Sequence, residues 1–204
     1  MRKSGDIAIL ILAAGESSRM GEPKQLLPWK DGTLLENAIK TAKGSNADDV
    51  CVILGANSRD IRAAILEEEI VVLDNPNWKN GLGSSISSGV THLIESDTYY
   101  SGLLIMLCDQ PFISSAYLNE IIRLFKENEK KIVATAYDNR AGVPAIFDVK
   151  HFQELKGLND DYGAKKILEK YREGIVMVDA HGKELDLDTP EDYRTSLNRN
   201  SKHL

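Results

Sequence analysis

Long hydrophobic runs are missing from this chain. No apolar stretch approaches the ~20 residues of a membrane-spanning helix. The basic start, Arg2-Lys3, is not followed by the apolar segment and cleavage site of a secretory leader. A cytoplasmic protein is expected, with no membrane partner. Cysteine is nearly absent as well: the two present, Cys51 and Cys108, sit in the apolar runs VCVIL and LLIMLCD, where a small hydrophobe packs well. A disulfide is not expected in a reducing compartment. An excess of positive charge is also lacking. Lys and Arg number 25 against 31 Asp and Glu, a net charge of −6, which argues against nucleic acid as a partner. Any anionic ligand must be met by locally placed cations. There is no repeat, heptad pattern or low-complexity tract, and the four histidines, His92, His151, His181 and His203, fall in helix-like or loop contexts that do not read as catalytic.

What is present is an ordinary globular composition, 42% apolar and 27% charged, which suits one domain spanning residues 1–204. Short, nearly continuous apolar or β-branched runs recur at Ile7 to Leu12, Val50 to Leu54, Ile70 to Leu73, Leu103 to Leu107, Ile132 to Ala136 and Ile175 to Val178. These read as strands covered on both faces. Helical spacing lies between them, at Leu34-Leu35-Ala38-Ile39, Ile61-Ala64-Ile65, Leu118-Ile121-Ile122-Phe125 and Ile167-Leu168-Tyr171. The alternation predicts an α/β fold of three layers, α/β/α, around a mainly parallel, Rossmann-like sheet. The polar ends, Met1 to Gly5 and Asn198 to Leu204, are expected to fray.

In such sheets ligands gather at the carboxyl ends of strands. The first run is followed by AAGESSRMGEPK, a small-residue loop with Arg19 and Lys24. Small residues let a ligand approach the backbone, whose N–H groups can cradle phosphate or read a base. The loop fits neither the P-loop, since Gln25 follows Lys24, nor G-x-G-x-x-G; an ordinary strand-to-helix connection with solvated cations is the alternative. In LLIMLCDQPFIS, Asp109 ends a buried strand and is placed to hold a hard divalent cation, or else to cap a turn. In LDLDTPEDY, Asp186 and Asp188 precede a helix start, where Asp188 or Thr189 could equally be its cap. NGLGSSISSG puts Ser84 and Ser85 ahead of a helix, suited to a base or a phosphate, or to capping alone. In NRAGVPAIFD, Gly142 and Pro144 read as a turn before an apolar segment.

Taken in order, LAAGESSRMGEPKQLL, NGLGSSISSG, LCDQPFI, GVPAIF, DDYGAKKIL and LDLDTPEDY resemble the MobA-like group of NTP transferases over nearly the whole chain, most of all the molybdopterin cytidylyltransferases. The resemblance implies a magnesium-dependent enzyme, with manganese as an alternative, that transfers CMP from CTP to molybdopterin and releases pyrophosphate. By that resemblance the backbone from Leu12 through Ala13, Ala14 and Gly15 reads the base, helped by Ser84 or Ser85. Arg19 and Lys24 grip the triphosphate, Asp109 and Asp188 (or Asp186) hold the metal, and Gly142 and Pro144 line the acceptor pocket. Glu16, where the group commonly has a neutral or basic residue, should point outward. Leu-Ala-Ala-Gly, in place of the Leu-Ala-Gly-Gly usual in guanylyl-transferring members, favours CTP over GTP. The rival readings are a guanylyltransferase, a cytidylyltransferase for another phosphorylated acceptor, and a non-catalytic factor delivering cofactor to a molybdenum hydroxylase, itself the candidate protein partner.

Overall fold

The computed structural model describes residues 3–4, 6–65, 69–128, 132–138 and 140–200. Seven strands form the central sheet: β1 (Ile7–Ala13), β2 (Asp49–Leu54), β3 (Val71–Asp74), β4 (Gly102–Leu107), β5 (Ile132–Tyr137), β6 (Arg140–Asp148) and β7 (Ile175–Asp179). Their spatial order is β7-β5-β6-β4-β1-β2-β3. β1 lies parallel to β2 and β4, β2 to β3, and β7 to β5, whereas β6 runs antiparallel to both of its neighbours. The helices are α1 (Leu34–Lys43), α2 (Ser58–Ala64), α3 (Leu82–Glu95), α4 (Ser115–Glu127), α5 (Phe152–Lys156), α6 (Lys165–Lys170) and α7 (Pro190–Asn200). No helix among the described residues is long and apolar enough to cross a membrane.

The two-residue period of β1 divides the core. Ile7, Ile9 and Ile11 pack with Leu35 and Ile39 of α1, Ile61 of α2 and Ile121 and Phe125 of α4. Ala8, Leu10 and Leu12 face the other way, onto Ile86 and Val90 of α3, Phe152 and Leu155 of α5 and Leu168 of α6. This produces the α/β/α layering read from the alternation. A third, smaller cluster joins Met20, Leu27, Trp29 and Leu34 to Leu187, with Tyr193 and Leu197 of α7 packed against it. It ties the carboxyl-terminal segment to the opening loop. Local chemistry sets the helix starts: the Thr33 hydroxyl accepts from the Glu36 amide while the Glu36 carboxylate accepts from the Thr33 amide, and Ser114 caps α4.

Three expectations are corrected. The run Ile70 to Leu73 becomes β3, an edge strand with exposed Val71, and β7 at the opposite edge leaves Met177 exposed, so neither is covered on both faces. Gly142 and Pro144 form no turn. They lie inside β6, where the register against β5 shifts between Gly142 and Ala145, a bulge that accommodates the missing proline donor. Residues 198–200 continue α7 and Lys3–Ser4 pair with Thr98–Tyr99, where loose ends were expected, while residues 201–204, His203 among them, and residues 1, 2 and 5 lie outside the described residues. Cys51 and Cys108 are free and buried.

Helix α3 sits close on β1 because Gly89 has no side chain: a Cβ there would lie 2.4 Å from Leu10 Cδ1. Gly89→Val should therefore destabilise the protein by about 1–3 kcal/mol in urea unfolding. Combined with Leu10→Ala, which vacates that space, the total loss should fall short of the sum of the two single losses.

Candidate functional site

β1 ends at Ala13, and the chain then leaves the sheet through a loop whose carbonyls are turned to the protein. Leu12 O accepts from Cys108 N at 3.3 Å and Ala14 O from Ala56 N at 3.0 Å. Ala13 O and Gly15 O accept from Gln25 Nε2 at 2.8 and 2.9 Å. Ala14 is buried, whereas Gly15 has no heavy atom within 4 Å of where a Cβ would sit. Gly21, at φ +78°, takes the left-handed turn that brings the chain back. A short 3₁₀ turn, Lys24–Leu26, then sets Lys24 beside the sheet end. Glu16 is exposed, as expected.

Here three distant segments meet. The Lys24 ammonium donates to Asp109 Oδ2 and lies 3.4 Å from Asp188 Oδ1, while Arg19 Nη2 reaches Asp188 Oδ2 at 3.0 Å. Lys24 and Asp109 are largely buried, with side-chain exposures of 16% and 8%; Asp188 and Arg19 are open, at 40% and 68%. Burial opposes the Lys24 charge, but Asp109 and, more weakly, Asp188 outweigh it and hold the ammonium up at about 12. Leu187, fully buried in the third cluster, donates its amide to Asp109 O at 3.0 Å, so the two acidic residues flanking it are delivered to the site by core packing. Thr189 and Asp192 cap α7 immediately beyond.

The donor set suits a small divalent cation. Asp109 Oδ1 is buried without a hydrogen-bond partner among the described residues, and Asp188 stands across Lys24 from it. Two carboxylates are a common protein share of a magnesium site whose other ligands are phosphate oxygens and water. Among the described residues no group of three or more His, Cys, Asp or Glu could hold a metal without such help. Asp186 faces elsewhere: its Oδ1 accepts from Gln110 Nε2 at 2.8 Å, and partial burial together with the carboxylates of Asp109 and Asp188 pushes it up to about 6.

Beside this cluster lies a cavity of 160 Å³ lined by the strand-end residues Leu12 and Leu107, by Leu82 and Ile86 of α3, and by Tyr137, Gly142 and Asp186. Pro144 is buried behind it, its carbonyl accepting from Thr135 Oγ1 at 2.7 Å. Ser84 and Ser85 are buried too, and both hydroxyls accept from Asn75 Nδ2, at 2.9 and 3.1 Å. Ser84 lines a different cavity with Asn75 and Asn77, although Leu82 and Ile86 of the same helix line the first. The amide of Gly83 is already taken by Asp160 O at 2.7 Å. His151 is buried against Tyr171, 4.7 Å between ring centroids, and burial pulls it below the usual histidine range; among the described residues no histidine lines either cavity.

Two site residues escaped the sequence reading. Gln25 and Gln110 are 1% and 3% exposed, and each bonds several groups around the strand ends. Gln110 also donates to Tyr137 Oη at 2.6 Å, and that hydroxyl donates to Val143 O at 2.5 Å, which links the acidic segment to the cavity wall on β6. The signal available was an amide directly following Lys24 and Asp109 next to apolar residues; it points to burial and leaves the bonding partners open.

Comparison with known proteins bears on this arrangement. Residues 9–175 match the MobA-like NTP transferase domain, a span that takes in the opening loop and Asp109 and stops before Asp186 and Asp188. The chain is 29% identical to the purine catabolism protein PucB of Bacillus subtilis, over 90% of this chain and 92% of that one. It is 28% identical to nicotine blue oxidoreductase of Paenarthrobacter nicotinovorans, over 89% and 92%. A probable molybdenum cofactor guanylyltransferase of Bacillus mycoides is 34% identical over 55% of this chain and 54% of its own length. Among solved structures, Rv0371c of Mycobacterium tuberculosis superposes with a TM-score of 0.83 at 29% identity, covering 95% of this chain and 98% of that one. Its manganese complex gives 0.78 at 28%, with the same coverage. A loop of small residues with two cations, an aspartate closing the neighbouring parallel strand and a family match across both lead to one statement: the chain belongs to the MobA-like NTP transferases and is a nucleotidyltransferase.

Proposed function

We propose that this protein transfers CMP from CTP to molybdopterin with release of pyrophosphate. The observation that carries the transferase chemistry is the cluster of Arg19, Lys24, Asp109 and Asp188 at the carboxyl ends of β1 and β4. A phosphate oxygen of the acceptor forms a bond to the α-phosphorus of the nucleotide, and the bond from that phosphorus to the bridging oxygen breaks in line. Both reactants are anions, so charge neutralisation and positioning dominate the catalytic requirement. Lys24 stabilises charge on the departing pyrophosphate, and the exposed Arg19 closes on the outer phosphates. Asp109 and Asp188 would hold magnesium, which would supply the positive charge that draws electron density from the phosphates. An acceptor phosphate is already ionised near neutral pH, so no general base is required.

The acceptor occupies the cavity beside Gly142, where Leu82, Ile86, Leu107 and Tyr137 offer faces to a flat ring while Arg140, Lys165 and Asp186 offer charged groups to its polar edges. The choice of CTP rests on Ala14, buried at the turn from β1 into the loop, where guanylyl-transferring members usually have glycine. Ser84 or Ser85 would help fix the base, and Ser85 keeps a hydroxyl hydrogen to donate while its oxygen accepts from Asn75. The relative named as a guanylyltransferase favours GTP as the second reading. Incubating the protein with each of the four NTPs, magnesium and molybdopterin, and measuring pyrophosphate, tests the assignment. A delivery factor would bind cofactor and release none. We place the protein in the cytoplasm, upstream of a molybdenum hydroxylase.

The buried pairing of Lys24 and Asp109 predicts an uneven result. Asp109→Asn should nearly abolish turnover and also lower the melting temperature, because it strips a buried ammonium of its nearer partner, a change that costs up to about 3–5 kcal/mol in a fully buried pair. Adding Lys24→Met should restore much of the melting temperature without restoring turnover. Wild-type rates in Asp109→Asn at saturating magnesium would remove Asp109 from the metal site.

Arg19→Ala should leave stability almost unchanged, since the Asp188 pair is exposed, yet slow pyrophosphate release a hundredfold or so if the guanidinium is a preorganised phosphate donor. Unchanged rates would make Arg19 a surface residue only.

Ala14→Gly should shift nucleotide choice partly from CTP toward GTP. One methyl supplies only about 1 kcal/mol of discrimination, and guanine needs partners that no single substitution creates. The ratio of kcat/KM values for the two nucleotides in parent and variant is the readout, and a parent that prefers GTP overturns the cytidylyl assignment.

A further inference from the structure

Gln25 is 1% exposed, and burying an amide is costly unless its polar atoms are bonded. Its nitrogen spends both hydrogens on the carbonyls of Ala13 and Gly15, at 2.8 and 2.9 Å. Its oxygen accepts from Ser17 Oγ at 3.4 Å, and that hydroxyl in turn accepts from the Lys24 amide at 3.1 Å. A trans peptide is planar, with its C=O and the next residue's N–H directed oppositely. Fixing the carbonyl of Ala13 therefore fixes the N–H of Ala14 to point away from Gln25, and fixing the carbonyl of Gly15 does the same for the N–H of Glu16. Between them, the carbonyl of Ala14 is held by the amide of Ala56, which orients the N–H of Gly15. Three successive peptide planes are thus set by the protein itself. The space at Gly15 is open to 4 Å around the missing Cβ, so a ligand can come up to that backbone.

We infer that Gln25 is the positioning residue of the nucleotide loop: it holds the peptide planes of Ala13 and Gly15 so that the N–H groups of Ala14 to Glu16 stand ready for the nucleoside part of the substrate. Phosphate binding is left to Arg19 and Lys24. The inference rests on the nucleotidyltransferase reading and not on the choice of CTP over GTP. It predicts a selective defect. Gln25→Met keeps the volume and removes both donors, so the loop peptides can rotate.

Binding of CTP, GTP and inorganic pyrophosphate, each with magnesium, is measured by titration calorimetry on the full chain of parent and variant, alongside melting temperature. The expected result is a loss of about tenfold or more for the preferred nucleotide, with pyrophosphate changed by less than about twofold. Unchanged nucleotide affinity in a folded variant overturns the inference. Equal weakening of nucleotide and pyrophosphate also overturns it, because Gln25 would then merely hold the fold. Should Gln25→Met not fold, Ser17→Ala decides: it frees the amide oxygen of Gln25 and also the Lys24 amide, so the nucleotide must lose clearly more affinity than pyrophosphate, and an equal loss overturns the inference. A parent that prefers GTP ends the cytidylyl assignment, and the ratio of variant to parent is then judged on GTP.

Discussion

A lysine ammonium withdrawn from water must be balanced, and the balance at Lys24 organises this molecule. Its carbon stem lies among buried groups at the sheet end, and its charge is met by Asp109 from the strand beside it and by Asp188 from the far end of the chain. Each member brings a different part of the fold with it: Lys24 the returning loop, Asp109 the end of β4, Asp188 the segment anchored by Leu187. The cluster holds two positive and two negative side chains, so it is close to neutral before any substrate arrives. Adding a nucleotide triphosphate and a divalent cation disturbs that neutrality in compensating directions. The cation offsets only part of the charge that the nucleotide brings, and Arg19 and Lys24 are the groups that meet the rest.

Much of this was legible in residue order. The period of two in β1 and the three-to-four spacing of the helices dictate a layered α/β molecule, because each apolar face has one partner surface that can cover it. The loop after β1 and the aspartate after β4 could be picked out since ligand sites of parallel sheets collect at carboxyl ends, and β1 and β4 are neighbours. Their meeting with Asp188 was legible only through family resemblance, since no spacing rule connects residue 24 with residue 188.

What escaped had physical causes. β6 was hidden because glycine and proline within four residues normally break a strand, whereas here a bulge absorbs both. The exposed faces of β3 and β7 were hidden because a run of four or five apolar residues looks the same at an edge as at the centre of a sheet. Gln25 and Gln110 were hidden because apolar neighbours in sequence say that an amide is buried and nothing of what it bonds. Its donors acquire meaning only when the carbonyls they meet, from residues 13 and 15 or from a strand end, are known. Ser84 and Ser85 show the reverse. Composition offered them as open hydroxyls, and the fold has already engaged both with Asn75.

The anchoring of Leu187 has a consequence for biosynthesis. The loop residues that begin the site leave the ribosome early, but Lys24 acquires its second carboxylate only after 164 further residues have been joined. Contacts of such sequence separation are slow to close. A nascent chain that has completed every strand of the sheet, through Asp179, still lacks Asp188 and the apolar plug that seats it. A chain stalled or clipped before Leu187 therefore lacks both the carboxylate shared by Arg19 and Lys24 and the leucine that seats it.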